Sequence, residues 1–165
     1  MFLMMMVYNL LTSLALLWLV GRNPRYMMQD YPPEITANIP PQTIEEKRAG
    51  MRYGLPFLLF LMGFPLVFGL VNKFTNGVGF IESWLAISAL MLSFNLVDLV
   101  ILDWMIFCWL TPRFMVLPGT EGHPGYKNYF FHFVGFLKGL IFVLIGSLVV
   151  TGLVEGVFAL AGAFR

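Results

Sequence analysis

Four long apolar stretches constrain this chain more than any other feature of its sequence. They run from Phe2 to Val20, from about Leu55 to Asn72, from about Ser83 to Leu110 and from about Tyr129 to Ala163. A helix needs about 20 apolar residues to cross the ~30 Å hydrocarbon layer, because each residue rises ~1.5 Å. The stretches lack the alternating polarity of a membrane β-barrel. We therefore predict an all-α integral membrane protein, with four transmembrane helices forming one domain over residues 1–165.

The composition supports a membrane protein and excludes other classes. Of the 165 residues 59% are apolar and 12% are charged, whereas about 25% of a soluble domain is charged. The net charge of +1 leaves no surplus of Lys and Arg for phosphates, so we expect membrane lipids and no nucleic acid as partners. Cys108 is the single cysteine, which excludes a disulfide or a CxxC site within these residues.

The basic residues are distributed unequally between the connecting segments. The loops at 21–54 and 111–128 hold seven Lys and Arg residues, whereas the second loop holds only Lys73 and the C-terminal tail only Arg165. Because cytoplasmic loops carry an excess of Lys and Arg, we predict a multi-pass cell-membrane protein with these two loops in the cytoplasm and both termini outside. The first stretch lacks a basic start and a small-residue cleavage site, so we interpret it as a span rather than a signal peptide.

Local patterns predict structure in the loops. Residues 43–46, Thr-Ile-Glu-Glu, fit a capping box, and we expect a helix from about Ile44 that continues toward Pro56 with a bend near Gly54. The segments that follow the first and third spans are alike, with Asn-Pro-Arg-Tyr-Met at 23–27 and Thr-Pro-Arg-Phe-Met at 111–115. This similarity fits two parallel helix-loop-helix repeats, and it equally fits two ordinary interfacial helix exits.

Polar residues inside the spans are the main functional indicators, because each is costly in lipid. In the third span Asn95, Asp98 and Asp103 fall, with Ser88, within an arc of ~140° on an α-helix. Counting inward along α-helices places Asp103 and Lys138 at similar depth, so we predict that they form the main buried ion pair. Alternatively, the long side chain of Lys138 extends its ammonium group to the cytoplasmic headgroups. Asp98, which lies deeper, is then the remaining candidate for a protonatable or ion-binding group.

Other polar and small residues predict contacts between the helices. Asn9 shares one face of the first span with Thr12 and Ser13. Pro65 should kink the second span and free the carbonyl of Leu61 for a side chain or a ligand. The fourth span places five glycines on the same broad side as His132 and Lys138, and two small-xxx-small pairs suggest packing within the chain, a homo-oligomer or a membrane protein partner. These glycines are Gly135, Gly139, Gly146, Gly152 and Gly156.

The third loop contains His-Pro-Gly-Tyr at 123–126, which is similar to a fragment of the motif in membrane methyltransferases that use S-adenosylmethionine. Those families place an Arg before the His, where this chain has Gly122. Neither His123 nor His132 has a Cys, Asp or Glu at metal-ligand spacing. We therefore predict no cofactor, no metal and no catalytic residue, and we interpret His123 as a turn residue.

Three functions remain open from the sequence. The sequence favours the first, a non-catalytic accessory or assembly protein, over the two alternatives. The second is a small ion or solute channel or transporter that uses Asp98, Asp103 and Lys138. The third is an interfacial lipid-modifying enzyme, for which loop residues should converge on one pocket near the membrane surface. The loop and interface candidates are Arg25, Arg113, His123 and Tyr126, with His132 just beyond the loop.

Overall fold

The computed structural model describes residues 1–37 and 39–163, and within these ranges it contains helices and turns but no strand. The helices are α1 (Phe2–Arg22), the short α2 (Pro33–Thr36), α3 (Ile44–Asn76), α4 (Phe80–Val97) and α5 (Tyr129–Ala163). A π-helical segment, Asp98–Leu110, continues α4 without a break. Four helices are long and apolar enough to cross a membrane, which confirms the all-α fold with four candidate spans.

The start of α3 confirms the predicted capping box. The Thr43 hydroxyl accepts a hydrogen bond from the Glu46 backbone N–H (3.1 Å), and the Glu46 carboxylate accepts one from the Thr43 backbone N–H (2.7 Å). The helix begins at Ile44, as predicted, and it continues without interruption through Gly54 and Pro56, whereas we predicted a bend near Gly54. It ends at Gly77, whose positive φ of 63° suits a residue without a side chain. The charged first turns after Ile44 and the apolar second span therefore form one continuous helix.

The structure confirms a second prediction inside α3, that Pro65 leaves the carbonyl of Leu61 without its helical donor. Proline has no backbone N–H, so the carbonyl of Leu61, four residues earlier, loses its helical partner. The hydroxyl of Tyr8 donates a hydrogen bond to this carbonyl over 3.0 Å. The Tyr8 side chain is fully buried, and its hydrogen bond therefore ties the middle of α1 to the middle of α3.

The π-helical segment was not predicted from the sequence. It ends at Thr111, whose backbone N–H donates to the carbonyl of Ile106, five residues earlier (2.9 Å), at a positive φ of 46°. The ammonium of Lys127 donates to the carbonyls of Cys108 (2.5 Å) and Trp109 (3.0 Å). A cation at the carbonyl end of a helix is stabilising. Lys127 therefore fixes the end of the third span to the third loop.

Helices α3 and α4 form a central pair, and α1 and α5 pack against this pair. Helix α4 packs against α1 and α3 and most extensively against α5, and α3 also contacts α1 and α5. Helices α1 and α5 thus lie on opposite sides of the pair. Large apolar side chains are exposed on the outer faces, as expected for helices that contact lipid; they include Leu10, Leu14, Leu59, Val67, Ile81, Ile141 and Ile145.

The two loops predicted to share a side of the membrane pack together at one end of the bundle. The hydroxyl of Tyr31 donates to the carbonyl of Met115 (2.7 Å), and the amide of Asn128 donates to the carboxylate of Glu34 (2.6 Å). Both loops contribute to one buried cluster of Val20, Tyr31, Ile35, Phe107, Cys108, Met115, Leu117 and Tyr126. We call this end of the bundle the loop end.

A buried ion pair joins α3 to α5 at the opposite end. The Lys73 ammonium lies 2.9 Å from a carboxylate oxygen of Glu155 and donates to the carbonyl of Val78 over 2.8 Å. Only 10% of the Lys73 side chain is exposed, so the charge is largely removed from water and needs these partners. This pair was not predicted from the sequence, in which Lys73 is the single basic residue of the second loop.

Candidate functional site

A cavity of about 490 Å³ lies between α1, α3, the third span and α5, and it extends to the segment before α2. Its volume is within the range of ~300–1,000 Å³ that small-molecule sites occupy. Most of its wall is apolar or aromatic, with a few polar groups among the rings. The polar lining consists of Gln29, Asp30, Asn95, Asp98, Asp103, His132 and Lys138.

The π-helical segment explains why two of its acidic residues face the same cavity. Asp98 and Asp103 are five positions apart, and on an α-helix this spacing would separate their directions by ~140°. In a π-helix the hydrogen bonds join residues five apart, so these residues lie almost above one another. Both side chains line the cavity. The change from α to π geometry at Asp98 therefore places two carboxyl groups on one side of the helix.

Asp103 pairs with His132 and not with Lys138, so the predicted ion pair is wrong. The carboxylate Oδ1 of Asp103 lies 3.0 Å from Nδ1 of His132, whose side chain is 5% exposed. Lys138 is exposed, and no ion pair of its ammonium occurs among the residues described. The depth estimate assumed an α-helical rise between Asp103 and Leu110, where the chain is π-helical.

His132 is placed to donate a hydrogen bond to Asp103. Nδ1 lies beside the Asp103 carboxylate, so we assign a proton to this nitrogen. Nε2 is buried and has no hydrogen-bond partner in the described part of the chain. His132 therefore stabilises the Asp103 carboxylate as a hydrogen-bond donor.

Asp30 adds a third carboxyl group from the first loop. Its side chain is accessible from the cavity and accepts a hydrogen bond from the Gln29 amide (3.2 Å). Burial, together with the negative charge of Asp103, raises the pKa of Asp30 to about 6. Asp30 was not predicted as a site residue, because nothing in a polar loop indicates that one of its residues folds back onto the spans.

The two asparagine candidates have different surroundings. The Asn95 amide donates to the carbonyl of Phe136 (3.2 Å) and packs directly against Gly139 on α5. Asn95 thus lies in the cavity wall, at a close approach of two helices. Asn9 accepts a hydrogen bond from the Ser93 hydroxyl (3.2 Å), joins α1 to α4 and does not line the cavity.

The four loop candidates do not share a pocket, and none of them lines this cavity. Arg25 pairs with Glu46 (2.5 Å), while Arg113 is exposed. Nδ1 of His123 accepts a hydrogen bond from the Gly125 backbone N–H (3.0 Å), which confirms a turn histidine.

Tyr126 is buried and hydrogen bonded within the third loop. Its hydroxyl accepts a hydrogen bond from the backbone N–H of Leu117 (2.9 Å) and is hydrogen bonded to the Thr120 hydroxyl (2.7 Å). The side chain is 2% exposed. These contacts give Tyr126 a role in closing the loop, and they leave its hydroxyl no free position toward a substrate.

The cavity combines carboxyl groups, one imidazole and an apolar wall, which is suited to a cation with an apolar body. Across residues 1–37 and 39–163, no cluster of three His, Cys, Asp or Glu side chains could hold a metal ion.

Comparison of the chain with models of protein families, with curated proteins and with solved structures finds no match.

Proposed function

We propose that this membrane protein is a small solute transporter that binds an organic cation in the cavity between its four helices. One observation carries the proposal: Asp30, Asp98 and Asp103 line one largely apolar cavity, and no Lys or Arg in the described ranges is paired with them. Lys138 lines the same cavity but is exposed and unpaired among these residues. The cavity therefore has an excess of acidic groups.

Charged groups in an apolar cavity are energetically costly unless a ligand of opposite charge neutralises them. A charged side chain near the middle of a bilayer costs roughly 2.5–3.5 kcal/mol on insertion scales. Such residues are retained where they serve an ion or substrate path. A ligand ammonium group would offset this cost, and aromatic rings add cation–π attraction. The cavity wall supplies such rings from Tyr8, Phe57, Phe94, Phe107, Phe131, Phe136 and Phe142.

The other two functions have less support. An accessory protein would need a partner surface, and the predicted contact of a homo-oligomer or membrane protein partner with the fourth helix stays a prediction. Gly139 and Gly146 pack within the chain, while a Cβ atom added to Gly152 or Gly156 would meet no other atom within 4 Å. The enzyme interpretation lacks a shared site, because its four loop residues have separate local contacts.

We propose that the cavity opens toward the cytoplasm. Asp30 lies at the loop end, and the excess of basic residues in the loops at 21–54 and 111–128 favours a cytoplasmic position for that end. Arg165, which we counted as the basic residue of the C-terminal tail, lies outside the residues that the structure describes. A membrane-impermeant maleimide should label a cysteine at Asn76 from outside intact cells, and should not label one at Ala37 or Glu121.

The labelling experiment needs a background without Cys108. Ala37, Asn76 and Glu121 are exposed, whereas Thr120 is buried and hydrogen bonded and would report poorly. Labelling at Ala37 or Glu121 in intact cells would reverse the orientation. It would leave the cation site itself unaffected.

A binding measurement tests the proposed function directly. We would titrate the purified protein in lipid nanodiscs with tetraethylammonium, benzyltrimethylammonium and tetraphenylphosphonium and follow the heat of binding. At least one cation should bind saturably, and Asp98→Asn should weaken its binding at least about tenfold. Glu45→Gln is the matched control, because it removes one exposed carboxylate far from the cavity. Absence of saturable binding, or equal binding by Asp98→Asn, would contradict the proposal.

A further inference from the structure

We infer that the cation enters this cavity in exchange for a proton, which the Asp98 carboxyl group holds while the ligand is absent. The inference rests on the proposed cation site and specifies how that site is neutralised when it is empty. In the exchange the O–H bond of the carboxylic acid breaks, the electron pair stays on the carboxylate, the proton leaves to water and the cation takes its place. An antiport of protons and organic cations would follow.

The ionisable groups that line the cavity come from four elements. The segment before α2 supplies Asp30 and the Tyr31 phenol, and the π-helical segment supplies Asp103 beside Asp98 itself. Helix α5 supplies His132 and Lys138, and α1 supplies the Tyr8 phenol. Helix α3 contributes only apolar groups to the lining, Phe57 and Leu61. With all three carboxyl groups ionised, Lys138 charged and His132 neutral, the cavity would carry an uncompensated charge of about −2. Carboxylates that share one apolar site do not all ionise at neutral pH.

Hydrogen bonds indicate which carboxyl group keeps the proton. Asp103 is stabilised as a carboxylate by Nδ1–H of His132, and Asp30 accepts from the Gln29 amide. Asp98 is half-buried and receives no donor from any side chain or backbone group in the described part of the chain. Hydrogen bonds to the charged form favour ionisation, and their absence favours the neutral acid. Asp98 is therefore the group that is protonated in the empty cavity.

A route for the released proton exists at the loop end. Asp30 lies where the first loop meets the cavity, and burial raises its pKa to about 6, so it exchanges protons readily near neutral pH. A cation near Asp98 then stabilises the carboxylate that the departing proton leaves. Because linkage is reciprocal, protons must weaken cation binding as much as the cation weakens proton binding.

Calorimetry on the intact protein in nanodiscs tests the exchange. We would titrate benzyltrimethylammonium, or whichever of the three probes binds, in phosphate and in HEPES at the same pH. Since the two buffers differ in ionisation enthalpy, the difference in heat gives the number of protons released. We expect between about half a proton and one proton per cation near pH 7. The Kd should rise up to about tenfold for each unit by which pH falls below that value.

The outcomes separate the inference from the proposed function. Saturable binding with no proton release and no pH dependence would overturn the exchange while supporting the cation site. Failure of every probe to bind would overturn both. Asp98→Asn should reduce the proton count of any residual binding to near zero, whereas Glu45→Gln should leave it unchanged. A full proton count in Asp98→Asn would overturn the assignment to Asp98, and the wild-type titrations test the exchange even if that variant does not fold.

Discussion

Nδ1 of His132 lies 3.0 Å from the Asp103 carboxylate, and this contact joins α5 to the π-helical part of the third span inside the bundle. We expect the two side chains to be energetically coupled. Asp103→Asn and His132→Gln should each lower the unfolding free energy by about 1–3 kcal/mol, because each leaves a buried partner unsatisfied. The double variant should lose at least about 0.5 kcal/mol less than the sum.

Lys138 supplies the control for this double-mutant cycle. The losses of Asp103→Asn and Lys138→Met should add within about 0.5 kcal/mol, because these residues form no ion pair. Unfolding in mixed micelles of a mild detergent and SDS gives the free energies. Strong coupling of Asp103 to Lys138, with none to His132, would contradict the observed pairing.

The hydroxyl of Tyr8 and the ring of Pro65 form a second coupled pair through the Leu61 carbonyl. Tyr8→Phe should lower the unfolding free energy by about 1–2 kcal/mol, because the carbonyl then has no donor. In a Pro65→Ala background the new backbone N–H can bond to Leu61, so Tyr8→Phe should cost clearly less. An equal cost in both backgrounds would show that Pro65 does not free this carbonyl. Tyr53→Phe is a control, since no hydrogen bond of its hydroxyl occurs in the described structure.

Two glycines of α5 should respond oppositely to the same substitution. A Cβ atom added to Gly139 would lie 2.9 Å from Cγ of Asn95 and closer still to its amide oxygen, whereas one added to Gly135 would meet nothing within 4 Å. Gly139→Ala should therefore cost about 1–3 kcal/mol through forced displacement of α4 from α5. Gly135→Ala should be neutral or slightly stabilising, because alanine favours helix. Thermal unfolding of both variants in one detergent is a sufficient comparison.

Arg25 and Arg113 occupy matching positions in the two similar helix exits. Of the two side chains, that of Arg25 alone makes an ion pair and hydrogen bonds in the described structure. Its guanidinium contacts Glu46 (2.5 Å) and donates to the carbonyls of Pro40 (3.1 Å) and Pro41 (3.2 Å). Arg25→Gln should destabilise the first loop by about 1 kcal/mol and speed its cleavage by trypsin several-fold. Arg113→Gln should leave cleavage there unchanged. Equal effects of the two substitutions would indicate a general charge effect.

The raised pKa of Asp30 predicts how stability depends on pH. Between its ordinary value of 3.8 and about 6 the folded carboxyl group binds more protons than the unfolded one, so its contribution to stability falls as pH rises through this range. Asp30→Asn should match the wild type near pH 4. Above pH 6 it should be more stable, by of order 1 kcal/mol because solvent screens this accessible group. Glu45→Gln should show no such crossover, and an Asp30→Asn variant that is less stable at pH 7.5 would contradict the prediction.

The sequence predicted the features that depend on local chemistry. The spans follow from apolar length, the start of α3 follows from the reciprocal bonds of Thr43 and Glu46, and the free carbonyl follows from Pro65. Each requires only residues within a few positions of one another. The structure confirms all three. Whether the chain is duplicated, and which side of the membrane each loop occupies, stay predictions.

The cavity could not be derived in the same way. Its two span carboxylates share one face because the backbone changes to π geometry at Asp98, and no residue pattern around Asp98 predicts that change. Asp30 reaches the site through a 3-10 segment, Pro24–Asp30, which packs against α1 and α3. The next residue, Tyr31, is hydrogen bonded to the third loop. His132, and not Lys138, is the partner of Asp103, since the rise of a π-helix differs from the α-helical rise on which the depth prediction was based.

The ion pair of Lys73 and Glu155 has a mechanical consequence for any protein that must admit a solute between these helices. It fastens α3 to α5 at the end far from the loops, while the opening that we propose for the cavity lies at the loop end, where Asp30 lines it. The ion pair would therefore act as a pivot near one end of α3 and α5. A rotation of a few degrees about this pivot displaces the opposite ends of the two helices most, because displacement grows with distance from the pivot. Widening of the entrance should thus leave Lys73 and Glu155 in contact throughout.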